Sequence, residues 1–163
     1  METDLVLRAI AIGIGATAVM DLWAVALKRL LAIPSLDYGM VGRWIGHFPH
    51  GRFRHQRIAA AAPVGDERLI GWTAHYAIGI VFAGLLLLIW GHDWATRPTL
   101  VPALTVGLVT VIAPFFLMQP CMGAGIAASK TPSPNTARLR SLIAHAVFGF
   151  GLYLSALVLS ILW

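Results

Sequence analysis

Apolar residues fill four stretches of this chain, and charged and turn-forming residues collect in the gaps between them. Leu5 to Leu27 carries no charge apart from Arg8 and Asp21, and Lys28-Arg29 followed by Pro34 end it. The second run, Leu69 to Trp90, follows Asp66-Glu67, the acidic first turn that suits a helix start. A third extends from Thr99 to Ser129 and a fourth from Ser141 to Trp163. Each reaches the roughly twenty residues a helix needs to cross hydrocarbon. The pattern predicts an all-α, integral membrane four-helix bundle, one transmembrane domain over 1–163, with helices at about 5–27, 69–90, 99–129 and 141–162.

The third run is longer than a bilayer requires, and Pro102, Pro114 and Pro120 interrupt it. Because proline lacks an N–H and crowds the carbonyl four residues earlier, the third helix is expected to be broken at Gln119-Pro120. Beyond the break, Gly123 to Ser129 is small enough for another backbone to approach closely. Thr131-Pro132-Ser133-Pro134-Asn135 reads as a turn, with Asn135 or Thr136 as cap of the fourth helix. Residues 32–68 form a loop rich in Gly, Pro, His and Arg, in which Leu36, Met40, Trp44, Ile45 and Phe48 fall at helical spacing. That spacing predicts a short interfacial helix with Arg43 and His47 turned outward. Gly91-His92-Asp93-Trp94 predicts a turn carrying an aromatic interface anchor.

Two halves can be laid on each other. A shift of 98 positions places Met20-Asp21 on Met118-Gln119, and a shift of 70 places Ala74-His75 and Gly79 on Ala144-His145 and Gly149. Each helical hairpin then reads as one copy of a duplicated unit, both copies pointing the same way across the membrane.

Composition sharpens the membrane reading. Hydrophobic residues make up 58% and charged residues 12%, half the charged share that covers a soluble domain, and mean hydropathy is +0.78. The lone Cys121 excludes an intramolecular disulfide. Ala16-Thr17-Ala18 has the form of a cleavage site, but Glu2 and Asp4 against Arg8 reverse the charge of a signal peptide, so the first helix is expected to be retained. The net charge of +5 comes from residues flanking apolar runs without a base-stacking module. Nucleic acid is therefore not the expected partner; the lipid bilayer is, with Arg43, Arg52, Arg54 and Arg57 meeting anionic phospholipid headgroups. Ten lysines and arginines lie in the loops joining helices 1 to 2 and 3 to 4, against Arg8 and Arg97 on the other face. By the positive-inside bias both basic loops are cytoplasmic and both termini periplasmic.

The run Ala16 to Trp23, the phrases Val41 to His47 and Gly51 to His55, and Gln119-Pro120-Cys121-Met122-Gly123-Ala124-Gly125 through Pro132 resemble the bacterial inner-membrane family catalogued as domain of unknown function 2938. The resemblance covers nearly the full length. It implies a small multi-pass protein of the bacterial inner membrane and brings no established activity, so no catalytic residue is carried over.

Four polar groups inside the spans carry the candidate chemistry. Asp21 lies seven residues before Lys28 and His75 seven after Arg68, each about 10 Å inward from its basic flank at the helical rise. His145 and Gln119 fall at similar depth, giving one expected cytoplasm-facing layer of Asp21, His75, Gln119 and His145. Small residues line it: Gly13 and Thr17 share a row with Asp21, Gly71 and Gly79 with His75, and Gly149 with His145. The layer reads in three ways. It can tie the helices together; it can bind or pass a small solute or proton; or His75 and His145 can ligate a b-type haem, with Met118, Cys121 and Met122 as an alternative set for a soft metal ion. His47, His50 and His55 are weaker metal candidates, more simply solvated in a basic loop. The sequence lacks a phosphate loop, a paired-carboxylate site, a nucleophile elbow and a metalloprotease helix, so a binding or transport role is favoured over an enzyme. A protomer this small would enclose a path most readily as a homodimer.

Overall fold

The computed structural model describes residues 2–163. Among these residues there are helices and loops and no strand. The apolar runs become α1 (Glu2–Leu31), α3 (Glu67–Thr96), a third span over Leu100–Met122, and α6 (Pro134–Leu162), with the short α2 (Tyr38–Gly46) in the first basic loop. The long helices exceed their apolar runs because their ends suit a helix. Lys28 and Arg29 occupy the last turn of α1, where cations oppose the helix dipole, and Pro134 takes the first position of α6, where no N–H is missed.

Four spans are long and apolar enough to cross a membrane, yet only 22 to 28% of each apolar window is buried inside the protein. Leu88 is 81% exposed and Ile161 77%. Water would not tolerate so continuous an apolar surface, whereas hydrocarbon solvates it, and helices satisfy their own backbone groups there. This is an integral membrane protein.

The chain divides into two compact units, Met1–Ser35 with Tyr76–Thr110 and Leu142–Trp163, and Leu36–His75 with Val111–Ser141. In the first unit the core is built from Ile12, Ala16, Leu86, Phe148 and Leu152. Its helices cross on glycine. A Cβ at Gly13 of α1 would fall 2.5 Å from Ile80 Cα in α3, and one at Gly107 of α4 (Leu100–Val109) would fall 2.5 Å from Gly149 Cα in α6. No side chain fits either crossing. Arg8, buried in α1, donates to Asp4 at 2.9 Å and to the Trp163 carbonyl at 3.1 Å, so the start of α1 and the end of α6 meet. The turn expected at Gly91 is a break inside α3, where Gly91 has φ 73. Trp94 does not reach outward as an anchor: it is buried, its indole N–H given to the Thr99 carbonyl at 3.2 Å.

In the second unit α2 starts at Asp37, whose carboxylate caps Gly39 N at 2.9 Å. Arg43 and His47, expected to face outward, are turned inward, with 9% and 8% of their surface exposed. Arg43 forms a fork on Glu67, Nε to Oε2 at 2.8 Å and Nη2 to Oε1 at 2.9 Å, and Nη1 reaches the carbonyls of Ala59 and Ala61. The hydrogen bonds to Glu67 raise the Arg43 pKa above its ordinary value against the opposing pull of burial. With all three nitrogens engaged, Arg43 is a tie holding α2 and not a headgroup ligand. His47 Nε2 donates to the Ala62 carbonyl at 3.0 Å.

The third span is interrupted beside Gln119-Pro120, as expected. α4 ends at Val109, a turn follows at Thr110 and Val111, and Pro114–Met118 is π-helical, Gln119 N bonding to Pro114 O five residues back. Gln119 is itself helical and opens α5 (Gln119–Met122), which stops at Gly123 with φ 93. The irregular stretch therefore runs from Thr110 to Met118, directly up to Gln119-Pro120, and the proline within it is Pro114. Pro114 has no N–H for the Thr110 carbonyl, whereas Pro120 sits in the first turn of α5, where a missing donor is tolerated. Residues 123–129, read as a continuation of the helix, are a chain of turns in which Ala127 and Ala128 hold left-handed φ of 46 and 58. Arg138 Nε fixes them, donating to the Ala127 carbonyl at 2.8 Å.

Candidate functional site

Asp21 and His145 belong to the first unit, His75 and Gln119 to the second. Asp21 accepts a hydrogen bond from Tyr76 Oη at 3.1 Å, joining α1 to α3. Tyr76 follows His75 in the chain, so one turn of α3 supplies two polar rings.

His75 lies face to face with Tyr38 of α2, ring centroids 4.1 Å apart and planes 27° off parallel. Trp72, three residues before His75, meets it edge-on at 5.8 Å and Tyr38 at 4.6 Å. The expected interfacial helix thus gives the first histidine an aromatic wall. Around the second histidine the partners are polar. His145 Nδ1 is 3.0 Å from Thr110 Oγ1 and 3.3 Å from the Gly107 carbonyl oxygen, and Thr110 Oγ1 donates to that carbonyl at 2.6 Å.

Gln119 follows the π-helical stretch directly. Its Oε1 is shut away from solvent and accepts no hydrogen bond among the described residues. A buried acceptor left without a donor costs about 1 to 3 kcal/mol. Nearby in sequence, the Cys121 carbonyl accepts from His55 N at 2.8 Å, which fastens the basic loop to the end of the third span. His55 Nε2 is a second buried atom without a partner among the described residues, its ring 4.9 Å from that of His47.

Sequence periodicity missed Tyr38, Tyr76 and Thr110. Tyr76 and Thr110 did leave a signal, each being a hydroxyl in an otherwise apolar run. Among the described residues no three His, Cys, Asp or Glu side chains group as a metal set. A soft-metal site would have to draw on the thioethers of Met118 and Met122 beside Cys121, which is partly buried.

At the basic end, Arg52, Arg54 and Arg57 are exposed. Phe53 stands between the first two, 56% exposed, backed by Phe48 with centroids 5.2 Å apart and by Trp44 Nε1, which donates to the Phe53 carbonyl at 2.8 Å.

No curated protein and no solved structure matches this chain. A family model does: the one described as "Protein of unknown function (DUF2938)" matches residues 10–159. With most of its length matched, its phrases at Val41 to His47 and Gln119 to Pro132 included, the chain belongs to the DUF2938 family of proteins of unknown function.

Proposed function

We infer that this is a multi-pass protein of the bacterial cytoplasmic membrane that binds or passes a small solute or proton by way of cytoplasm-facing polar groups in its spans, the candidates being Asp21, His75, Gln119 and His145. The observation that carries the reading is the third span, whose π-helical interruption leads directly into Gln119, its Oε1 buried and without a donor among the described residues. Irregular backbone at membrane depth is tolerated where it is enclosed by protein or lines a polar cavity, and π-segments gather at functional sites. A solute donor bonded to Oε1 would remove its penalty. Both basic loops face the cytoplasm and both termini the periplasm, and Arg52, Arg54 and Arg57 meet anionic headgroups with Phe53 set among the acyl chains. A homodimer is the assembly in which such groups would close around a path.

The competing reading, a polar layer that only ties helices, draws on the Tyr76 to Asp21 and Thr110 to His145 contacts. Gln119→Leu separates the two. If the amide is kept for a ligand, the variant melts at higher temperature than the wild type and no longer responds to a stabilising solute; if it is a tie, the variant melts lower. Topology is checked by a periplasm-dependent enzyme reporter, active when fused after Trp163 and inactive after Arg54. The reverse pattern contradicts the orientation.

A further inference from the structure

The contacts of His145 decide which of its ring nitrogens carries the proton. Thr110 Oγ1 donates its single hydrogen to the Gly107 carbonyl at 2.6 Å. His145 Nδ1 lies within 3.0 Å of that hydroxyl oxygen and 3.3 Å of the carbonyl oxygen. The carbonyl can only accept, and the hydroxyl has only lone pairs left, so Nδ1 must be the N–H. In the neutral ring Nε2 then holds a lone pair and no hydrogen. The hydrogen bonds of His145 among the described residues are all made at Nδ1.

This anchor is rigid. Thr110 is buried, and Gly107 meets Gly149, four residues beyond His145, with no room for a side chain. Histidines that ligate metals are oriented in this way, one ring nitrogen donating to a backbone carbonyl so that the other is aimed outward. A lone pair repels the acceptor atoms of an anion and attracts a hydrogen-bond donor.

We propose that His145 Nε2 is the accepting end of a binding site for a small N–H or O–H donor, and that Thr110 and the Gly107 carbonyl are its positioning groups. The proposal rests on the reading that the polar layer takes a solute, and it names the chemistry of that solute.

The test is nitrogen-15 NMR of the full-length protein in lipid nanodiscs. His145 is the one histidine followed by alanine, so a histidine-to-alanine backbone correlation assigns it without a variant. The expected spectrum has Nδ1 protonated and Nε2 bare, and Thr110→Val mixes the two tautomers. Ammonium chloride added at constant pH moves the Nε2 resonance. Potassium chloride, whose cation is of similar size but has no N–H, does not move it, nor does sodium formate. A protonated Nε2, a resonance indifferent to ammonium, or an equal response to potassium or formate overturns the proposal. A silent Nε2 in a protein still stabilised by a solute through Gln119 would sink this inference alone and leave the broader reading standing.

Discussion

The α1/α3 and α4/α6 pairs use the same crossing and give their histidines different surroundings. In each pair a threonine hydroxyl donates back to the carbonyl of the crossing glycine, Thr17 to Gly13 at 2.8 Å and Thr110 to Gly107 at 2.6 Å. In each pair the other helix presents a glycine four residues after a histidine, Gly79 after His75 and Gly149 after His145. There the likeness ends. His145 is held by hydrogen bonds to the crossing itself, whereas His75 is stacked on Tyr38 from α2. The first loop contains a helix with aromatic residues, while the second passes through Gly123 to Ser129, which has no ring to offer. A repeated packing device can therefore carry two unlike polar sites, the difference residing in the loops.

The largest effect should come from the crossings. Gly13→Val and Gly107→Val each put atoms into backbone that cannot yield, at or beyond the upper end of the roughly 1 to 3 kcal/mol typical of overpacking. Both variants should lose the monodisperse peak in size-exclusion chromatography. Loss in only one would mean that the crossings are not equivalent.

Arg43→Met comes next, because it removes the fork on Glu67 that holds α2. The melting temperature should fall, and in a nitrogen-15 histidine spectrum His75 should move while His145 stays. Equal movement of both would erase the distinction drawn above. A smaller effect is expected for Tyr38→Leu, about 1 kcal/mol for the lost ring contact, again confined to His75. Thr110→Val should cost least, about 0.6 kcal/mol as is typical of hydrogen bonds between membrane helices, and should shift His145 alone. Thr17→Val, its counterpart, should leave the His145 tautomer untouched.

The four spans were legible because twenty or more apolar residues admit few alternatives, and the all-α class followed from that. Their ends were not, since Lys28, Arg29 and Pro134 look like boundaries but are good occupants of helix termini. Arg43 was placed outward on the ordinary behaviour of a charge at an interface. Its partner Glu67 lies 24 residues away beyond a loop that periodicity cannot fold. The interruption of the third span beside Gln119-Pro120 was foreseen and the part of Pro114 in it was not, because three prolines were visible and only the backbone decides which one breaks the ladder. Of the candidate polar groups, the residue types were readable. Their partners Tyr76, Tyr38 and Thr110 are long-range contacts that no local pattern encodes.

Solute-dependent melting of the purified protein, followed side by side in the wild type, Gln119→Leu and His145→Asn, tests the functional reading most directly. A ligand at one hundred times its dissociation constant stabilises by about 2.7 kcal/mol. A small hydrogen-bond donor such as ammonium should raise the melting temperature of the wild type, and the rise should vanish in Gln119→Leu; its loss in His145→Asn as well is what an accepting Nε2 predicts. A wild type indifferent to such donors, or a Gln119→Leu variant that responds as the wild type does, would leave the polar layer as a structural tie between helices.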